Sequence, residues 1–260
     1  MMISLVRNLW GHRDLCRSLV RREVTARYRQ SLLGPAWALL QPLALLVVFL
    51  AVQRFVHLPS DGLPYAVFLY TGLVPWTFFS GTLAMMTPSI VANGAIVRKI
   101  YFPREVLPIS AALVGLLDFA IAFATLLLVM AKYGVAPAAS VVYLPLILLV
   151  LLVFVVGVGL LGAALCAFQR DILFVAVFLL QLWMYASPVL YPVSSVPPAW
   201  RTLYLANPMA SLVSLFRDAV LGTRPVDLGL LGIAGAESLV MLFVGFHVFK
   251  SLEKYFADAV

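Results

Sequence analysis

Six apolar stretches, at residues 36–56, 64–88, 106–131, 141–168, 172–191 and 228–249, set the limits on what this chain can become. A hydrocarbon core of about 30 Å takes about 20 apolar residues to cross as a helix. Each stretch meets that length. In lipid, backbone N–H and C=O groups must bond within the segment, which restricts spanning elements to helices and closed barrels. The pattern therefore predicts an all-α membrane protein with six transmembrane helices. Composition agrees. The chain is 63% hydrophobic and only 11% charged, against about 25% charged in ordinary soluble domains. One soluble core of this length cannot hide that much apolar surface. No soluble second domain, linker or internal repeat is visible, so residues 1–260 read as one transmembrane domain.

The interruptions between the runs carry the organisation. Residues 1–31 hold seven Arg residues against Asp14 and Glu23. As a helix they put Leu15, Cys16, Leu19, Val20 and Ala26 on one side and Asp14, Ser18, Arg21, Thr25 and Arg29 on the other. That is an amphipathic interface helix, with Arg stems able to snorkel. It serves either as a plain surface anchor or as a positioned element beside the first span. It is too polar and too long before the first apolar run to be a cleavable signal. Gly34-Pro35 turns the chain into the first span, and Gln41-Pro42 interrupts that span near its start. The second span is rich in aromatics and weakened by Gly72 and Pro75. In the fourth, Gly157, Gly159 and Gly162 with Ala163 and Ala164 form a small-residue face suited to close helix packing.

Residues 192–227 do not read as a simple loop. Pro197-Pro198, Asn207-Pro208 and Pro225 break them into two apolar pieces, Ala199–Ala206 and Met209–Leu221. Neither is long enough to cross, so they read as a re-entrant or interfacial helix pair.

The polar stretch Asn93–Glu105 lies between the second and third spans. Asn93 can cap a helix start, and Pro103 ends anything helical. That leaves about two turns at about 3.6 residues per turn. A short helix between two spans can serve as a handle for a soluble partner; a basic loop that only fixes topology is the other reading. The N-terminal segment, this loop, the Arg170 turn and the tail after residue 249 hold 13 of the 18 Lys and Arg residues. The positive-inside rule then places both termini and the Asn93–Glu105 loop in the cytoplasm. The same asymmetry explains the net charge of +7 through anionic lipid head groups, with no nucleic-acid partner required.

Candidate chemistry is sparse. Asp118 and Glu237 are the carboxylates deep in spans. An ionised group there costs about 2.5–3.5 kcal/mol on insertion scales, so it faces protein or water. They read as polar lining of a path, or as structural hydrogen-bonding groups. Trp76, Trp183, Tyr185, Tyr191 and Trp200 fit the aromatic belt at membrane interfaces, and their faces would also stack on sugar rings. Cys16, Cys166, His12, His57 and His247 are scattered, which argues against a metal site or disulfide framework. There is no G-x-x-x-x-G-K-[ST], G-x-S-x-G or H-E-x-x-H motif, so ATP binding in a P-loop and hydrolytic chemistry lack a foothold.

Three motifs in order carry a resemblance. The first is Arg27-Tyr28-Arg29-Gln30-Ser31-Leu32-Leu33-Gly34-Pro35, with Trp37 and Pro42 behind it. The second is Arg98-Lys99-Ile100-Tyr101-Phe102-Pro103-Arg104-Glu105. The third is Ser187-Pro188-Val189-Leu190-Tyr191-Pro192, followed by Pro198 and Asn207-Pro208. Together they resemble the membrane subunits of type-2 ABC exporters, in the branch that moves O-antigen and related cell-surface polysaccharides. The resemblance covers nearly the whole chain.

It implies that two copies pair around one channel in the bacterial inner membrane. Each would bind a separate cytoplasmic ATPase subunit that carries ATP and Mg, with no cofactor on this chain. Asn93, Ile96, Val97, Arg98, Lys99, Ile100 and Tyr101 would form the coupling helix. Tyr191, Pro198, Trp200, Asn207 and Pro208 would belong to an outer gate. Asp118, Glu237, Trp76, Trp183 and Tyr185 are the channel candidates. The substrate would be a glycan on a lipid carrier. A permease for a drug or small lipid is the nearest alternative. An intramembrane enzyme using Asp118 or Glu237 is a further one. A proton-coupled carrier would show inverted repeats, and none is evident.

Overall fold

The structure, a computed structural model, describes residues 11–29, 36–56 and 58–260. Arg7, the Gly34-Pro35 turn and His57 lie outside the described residues. Among those described, every regular element is helical. An amphipathic helix α1 (Arg13–Arg29) precedes α2 (Ala36–Val56) and α3 (Tyr65–Met86). Two short helices follow, α4 (Ser89–Ala92) and α5 (Gly94–Lys99), and then α6 (Val106–Lys132). A 3-10 turn (Ala139–Tyr143) leads into α7 (Leu144–Phe168), followed by α8 (Ile172–Tyr185). After it come α9 (Pro198–Leu205), α10 (Pro208–Leu221), α11 (Leu228–Glu253) and α12 (Phe256–Ala259).

Among the described residues, four helical segments are long and apolar enough to cross a membrane: Tyr65–Met86, Val106–Lys132, Ala139–Phe168 and Leu228–Glu253. Two more, Pro42–Val56 and Ile172–Tyr185, are apolar but shorter. At about 1.5 Å per residue, α8 reaches about 21 Å, less than the run 172–191 would give. The chain leaves the helix at Tyr185 because Pro188 has no N–H to continue it and disfavours helical geometry before it.

The bundle is built around α3. Seventeen of its 22 residues are buried. It packs against α2, α6, α7, α8 and α10. Its mean hydropathy is the lowest of the four long helices, 1.2 against 3.1 for Ala139–Phe168. A helix surrounded by protein can carry Tyr65, whose hydroxyl donates to the Leu190 carbonyl, whereas a helix facing lipid must meet its polar groups within itself.

The small-residue face of α7 serves two partners. On one side Gly157 crosses α11, where a Cβ would stand 2.6 Å from the Leu242 backbone nitrogen. A Cβ on Gly245 would fall on the Gly157 carbonyl. On the other side Gly159 meets Met86 and Gly162 meets Thr87. Backbones approach this closely only where both helices lack side chains.

At the basic end, a second apolar cluster joins Cys16 and Leu19 of α1 with Val97, Phe102, Val106, Phe249 and Phe256. The face of α1 carrying Leu15, Cys16, Leu19 and Val20 turns inward, and Asp14, Ser18, Arg21 and Thr25 are exposed. The helix thus packs on α6, with the Cys16 thiol 3.5 Å from the Ser110 hydroxyl.

Gly245→Ala should destabilise the fold by about 1–3 kcal/mol, because the opposing Gly157 backbone cannot yield to a new methyl. Gly81→Ala, with open space around the position, should be neutral. Thermal unfolding of the detergent-solubilised variants separates the two.

Candidate coupling and gate sites

The coupling stretch is held at both ends. Asn93 is buried; its side-chain NH2 donates to the Ser89 carbonyl at 2.8 Å, and its oxygen accepts from Arg22 of α1. At the other end Glu105 is fully buried, and Lys250 of α11 donates to it at 2.7 Å. The same ammonium donates to Glu253 at 2.7 Å, and Glu253 accepts from the Arg104 backbone N–H at 3.0 Å. A buried carboxylate needs such a partner, since an unpaired one would lose its hydration for nothing. The last helix is thus tied to the loop that enters α6. Beneath α5, Phe256 of α12 packs on Phe249 and Phe168 with ring centroids 5.1 and 5.9 Å apart.

These contacts sort the predicted coupling residues into two groups. Asn93 and Val97 face the protein, with Ile96 half-buried. Arg98, Lys99, Ile100 and Tyr101 face outward. Ile100 is 60% exposed and Tyr101 wholly so. An isoleucine and a tyrosine are thus left bare just past the end of α5, next to two cations.

The far end is organised by Arg217 of α10. Its side chain is buried, and its guanidinium lies 3.9 Å from the centre of the Phe68 ring of α3. It donates to the carbonyls of Pro188 at 2.8 Å, and of Val189 and Phe68 at 3.4 Å. The Tyr65 hydroxyl donates to the next carbonyl, Leu190, at 3.3 Å. Successive backbone oxygens in the broken stretch after α8 are therefore satisfied by side chains, as non-helical backbone within an apolar bundle requires. Gly72 makes the crossing possible, since a Cβ there would lie 2.6 Å from the guanidinium and 2.9 Å from the Val189 oxygen. Burial pulls the Arg217 pKa down to about 10, so the cation persists at neutral pH.

Asn207 ties the same break to α10. Its side-chain oxygen accepts from Met209 N at 3.1 Å, an N-cap with Pro208 in the first turn, and from Trp183 Nε1 at 2.8 Å. Its NH2 donates to the Ala186 carbonyl at 3.0 Å. The C-terminus of α10 closes with Gly222 at φ 65°, whose N–H donates to Asp218 O at 2.9 Å. The turn after α6 reaches in, with Ala138 N donating to the Val220 carbonyl at 2.9 Å. Burial raises the Asp218 carboxyl, opposed by the Thr223 hydroxyl at 2.8 Å and by Arg224.

The two apolar pieces of this region differ. The helix α10 is mostly buried, which makes it part of the bundle rather than an interfacial helix. The helix α9 buries none of its residues, and Pro198 and Trp200 on it are exposed. Tyr191 donates to the Tyr185 carbonyl at 2.7 Å and accepts from Tyr204 at 3.3 Å. Tyr185 itself is exposed.

Among the channel candidates, Trp76 is buried against Phe79, and Trp183 meets Phe79 and Phe154 edge-on at 5.2 and 6.0 Å. These rings form one aromatic cluster joining α3, α7 and α8. Asp118 is half-buried in α6. Glu237 faces a cavity of about 420 Å3 between α9 and α11, which Arg201 also lines. Among the described residues no group of three His, Cys, Asp or Glu side chains could hold a metal ion.

Comparison with known proteins decides the family. The model of the ABC-2 type transporter family matches residues 14–221. The chain belongs to the ABC-2 type transporters. It is a multi-pass membrane permease subunit, not an enzyme, and it works with an ABC ATPase. Three relatives align with this permease over nearly their full length. An O-antigen export system permease protein from Myxococcus xanthus is 34% identical over all of both chains. One from Klebsiella pneumoniae is 28% identical over 99% of each. A polysialic acid transport protein from Escherichia coli is 27% identical over 91% of this chain and 93% of its own.

The match ends at Leu221, the last residue of α10. The permease therefore carries its Lys250 clamp outside the matched segment. Sequence reading had no signal for Arg22, Glu105 or Lys250 as a brace. Arg217, beside Asp218 in the largely apolar piece 209–221, carries no local pattern that links it to Pro188.

Arg217→Met should cost more than about 2 kcal/mol, because the Pro188 and Val189 carbonyls lose a charged donor inside the bundle. Arg217→Lys should recover only part, since an ammonium lacks the planar guanidinium face that stacks on Phe68. Asn207→Ala should cost about 1 kcal/mol for the lost cap. Unfolding midpoints of the purified permease check the order.

Proposed function

We propose that this permease exports a lipid-linked polysaccharide of the O-antigen type. Two copies form the channel, driven by two copies of a cytoplasmic ATPase. The observation that carries the reading is full-length similarity to an O-antigen export permease at 34% identity. The homodimer, the inner bacterial membrane and cytoplasmic termini belong to the same reading. The Lys and Arg asymmetry supports that orientation. Six spans require α2 and the shorter helix α8 to cross as well. A helix shorter than the local hydrocarbon thickness does so by thinning the bilayer or by associating with a second copy. The absence of buried residues on α8 within one chain supports a role at the channel or the dimer contact.

In this mechanism α5 is the coupling helix and Ile100–Tyr101 its contact with the ATPase. A handle must pass force on rather than bend. The clamps from Arg22 to Asn93 and from Lys250 to Glu105 suit that role, because they lock α5 to α1 and α11. The segment from Tyr191 to Pro208, with Pro198, Trp200 and Asn207, acts as the outer gate. Trp183 and Asn207 connect it to α8, so a shift of α8 reaches α10 through one hydrogen bond. Trp76 and Trp183 offer ring faces or edges to sugars if the aromatic cluster opens; Asp118 and Glu237 line the polar part of the path.

Depleting the permease in its host should leave full-length lipid-linked glycan on the cytoplasmic side of the inner membrane. Normal glycan at the surface would refute polysaccharide export and favour a drug or small lipid as cargo. Tyr101→Asp and Ile100→Asp should abolish export while the protein still inserts and folds, because both residues are exposed. Export at the wild-type rate in both variants would remove α5 from the coupling role.

A further inference from the structure

We infer that the ATPase grips this permease at a second place beside the coupling helix, a basic cavity formed by the Tyr101–Arg104 loop and the end of α11. The inference rests on α5 being the coupling helix and enlarges the surface assigned to it. The cavity measures about 560 Å3 and is lined by Tyr101, Phe102, Arg104, Lys250, Glu253 and Lys254 among others. Three of its four charges are already spent inside the fold, among them Arg104, whose guanidinium donates to the Glu253 carbonyl. Lys250 lies between Glu105 and Glu253 at 2.7 Å from each. The Glu253 carboxylate also accepts from the Arg104 N–H. What remains for a partner is Lys254, exposed at the rim with its ammonium 4.8 Å from the centre of the Tyr255 ring; Arg98 and Lys99, at the end of α5, are exposed as well. The rim is therefore positive and its wall is aromatic.

Three features select the occupant. The cavity is continuous with the bare Ile100–Tyr101 pair, and a tyrosine beside basic residues is the composition of a protein-contact centre with a charged edge. The cavity and the coupling helix stand on one support, because α12 underlies α5 and a Cβ on Gly94 would touch Val260 at 3.4 Å. A partner that pushes on α5 pushes on the α11 terminus too. The charge left at the rim calls for an acidic side chain. The occupant is thus an acidic surface segment of the ATPase, with an apolar residue set against Tyr101 and Phe102. The cavity makes α11 a second input from the ATPase, reaching α7 directly through the Gly157–Gly245 contact.

The test places the photo-crosslinker p-benzoylphenylalanine at Lys254 and, separately, at Ile100. Each full-length variant is co-expressed with its ATPase and irradiated in membranes. Both positions should crosslink to the ATPase chain. In addition Lys254→Glu should lower the co-purified ATPase about fivefold at moderate salt, and Lys254→Arg should restore it. A crosslink from Ile100 to the ATPase with Lys254 joined only to lipid, or to nothing, overturns the second contact and leaves the coupling helix standing. No crosslink to the ATPase from either position overturns both. Undiminished co-purification of Lys254→Glu also overturns the role of the charge.

Discussion

A guanidinium buried in an apolar bundle is the interaction on which the far end of this protein depends. Arg217 would be costly there if its charge were left to itself. It is tolerated because the chain after α8 is not helical and so presents carbonyl oxygens with no helical donors. The cation and the broken backbone answer each other's deficit. Phe68 covers the face of the guanidinium, and Gly72 leaves the space in which both meet α3. Removing any one member leaves the others without their partner inside the fold.

The basic end uses the same economy with the signs exchanged. There the buried charge is the carboxylate of Glu105, and Lys250 reaches it from another helix. In each case a buried charge joins segments far apart in the chain, from residue 105 to 250 and from 188 to 217. Between the two lies the contact of α7 with α11, closest where Gly157 and Gly245 meet and joined by Leu160, Leu242 and Phe246. A bundle fixed by charge at its ends and by bare backbone in its middle resists bending of its long helices. The helices α8 and α9, which bury none of their residues, stand outside this frame.

Much of this fold was legible in the apolar runs. The helices α2, α3, α6, α7 and α11 begin and end within a few residues of those runs, because the bilayer demands length and the prolines and glycines mark the stops. The inward face of α1 was legible from helical spacing alone. The end of α8 was not, since the apolar run continues past Tyr185 while the backbone does not. The division of the coupling stretch was also hidden. Val97 and Ile100 are alike in hydrophobicity, and only the presence of α12 beneath α5 makes one a core residue and leaves the other bare. Arg217 was the largest omission. Its acceptors lie about thirty residues earlier in the chain, and no local pattern connects them.

The burial of α3 bears on how the protein is made. Of the long helices it is the least suited to lipid, and it is sheltered mainly by α6, α7 and α10. All three are synthesised after it. During biosynthesis this helix enters the membrane as a marginal segment, before the helices that bury Tyr70 and Trp76 have been made. Its stability comes late, when the C-terminal half closes around it. The centre of the finished molecule is thus the element that waits longest for its surroundings, and premature release of the chain would leave it the most exposed to quality control.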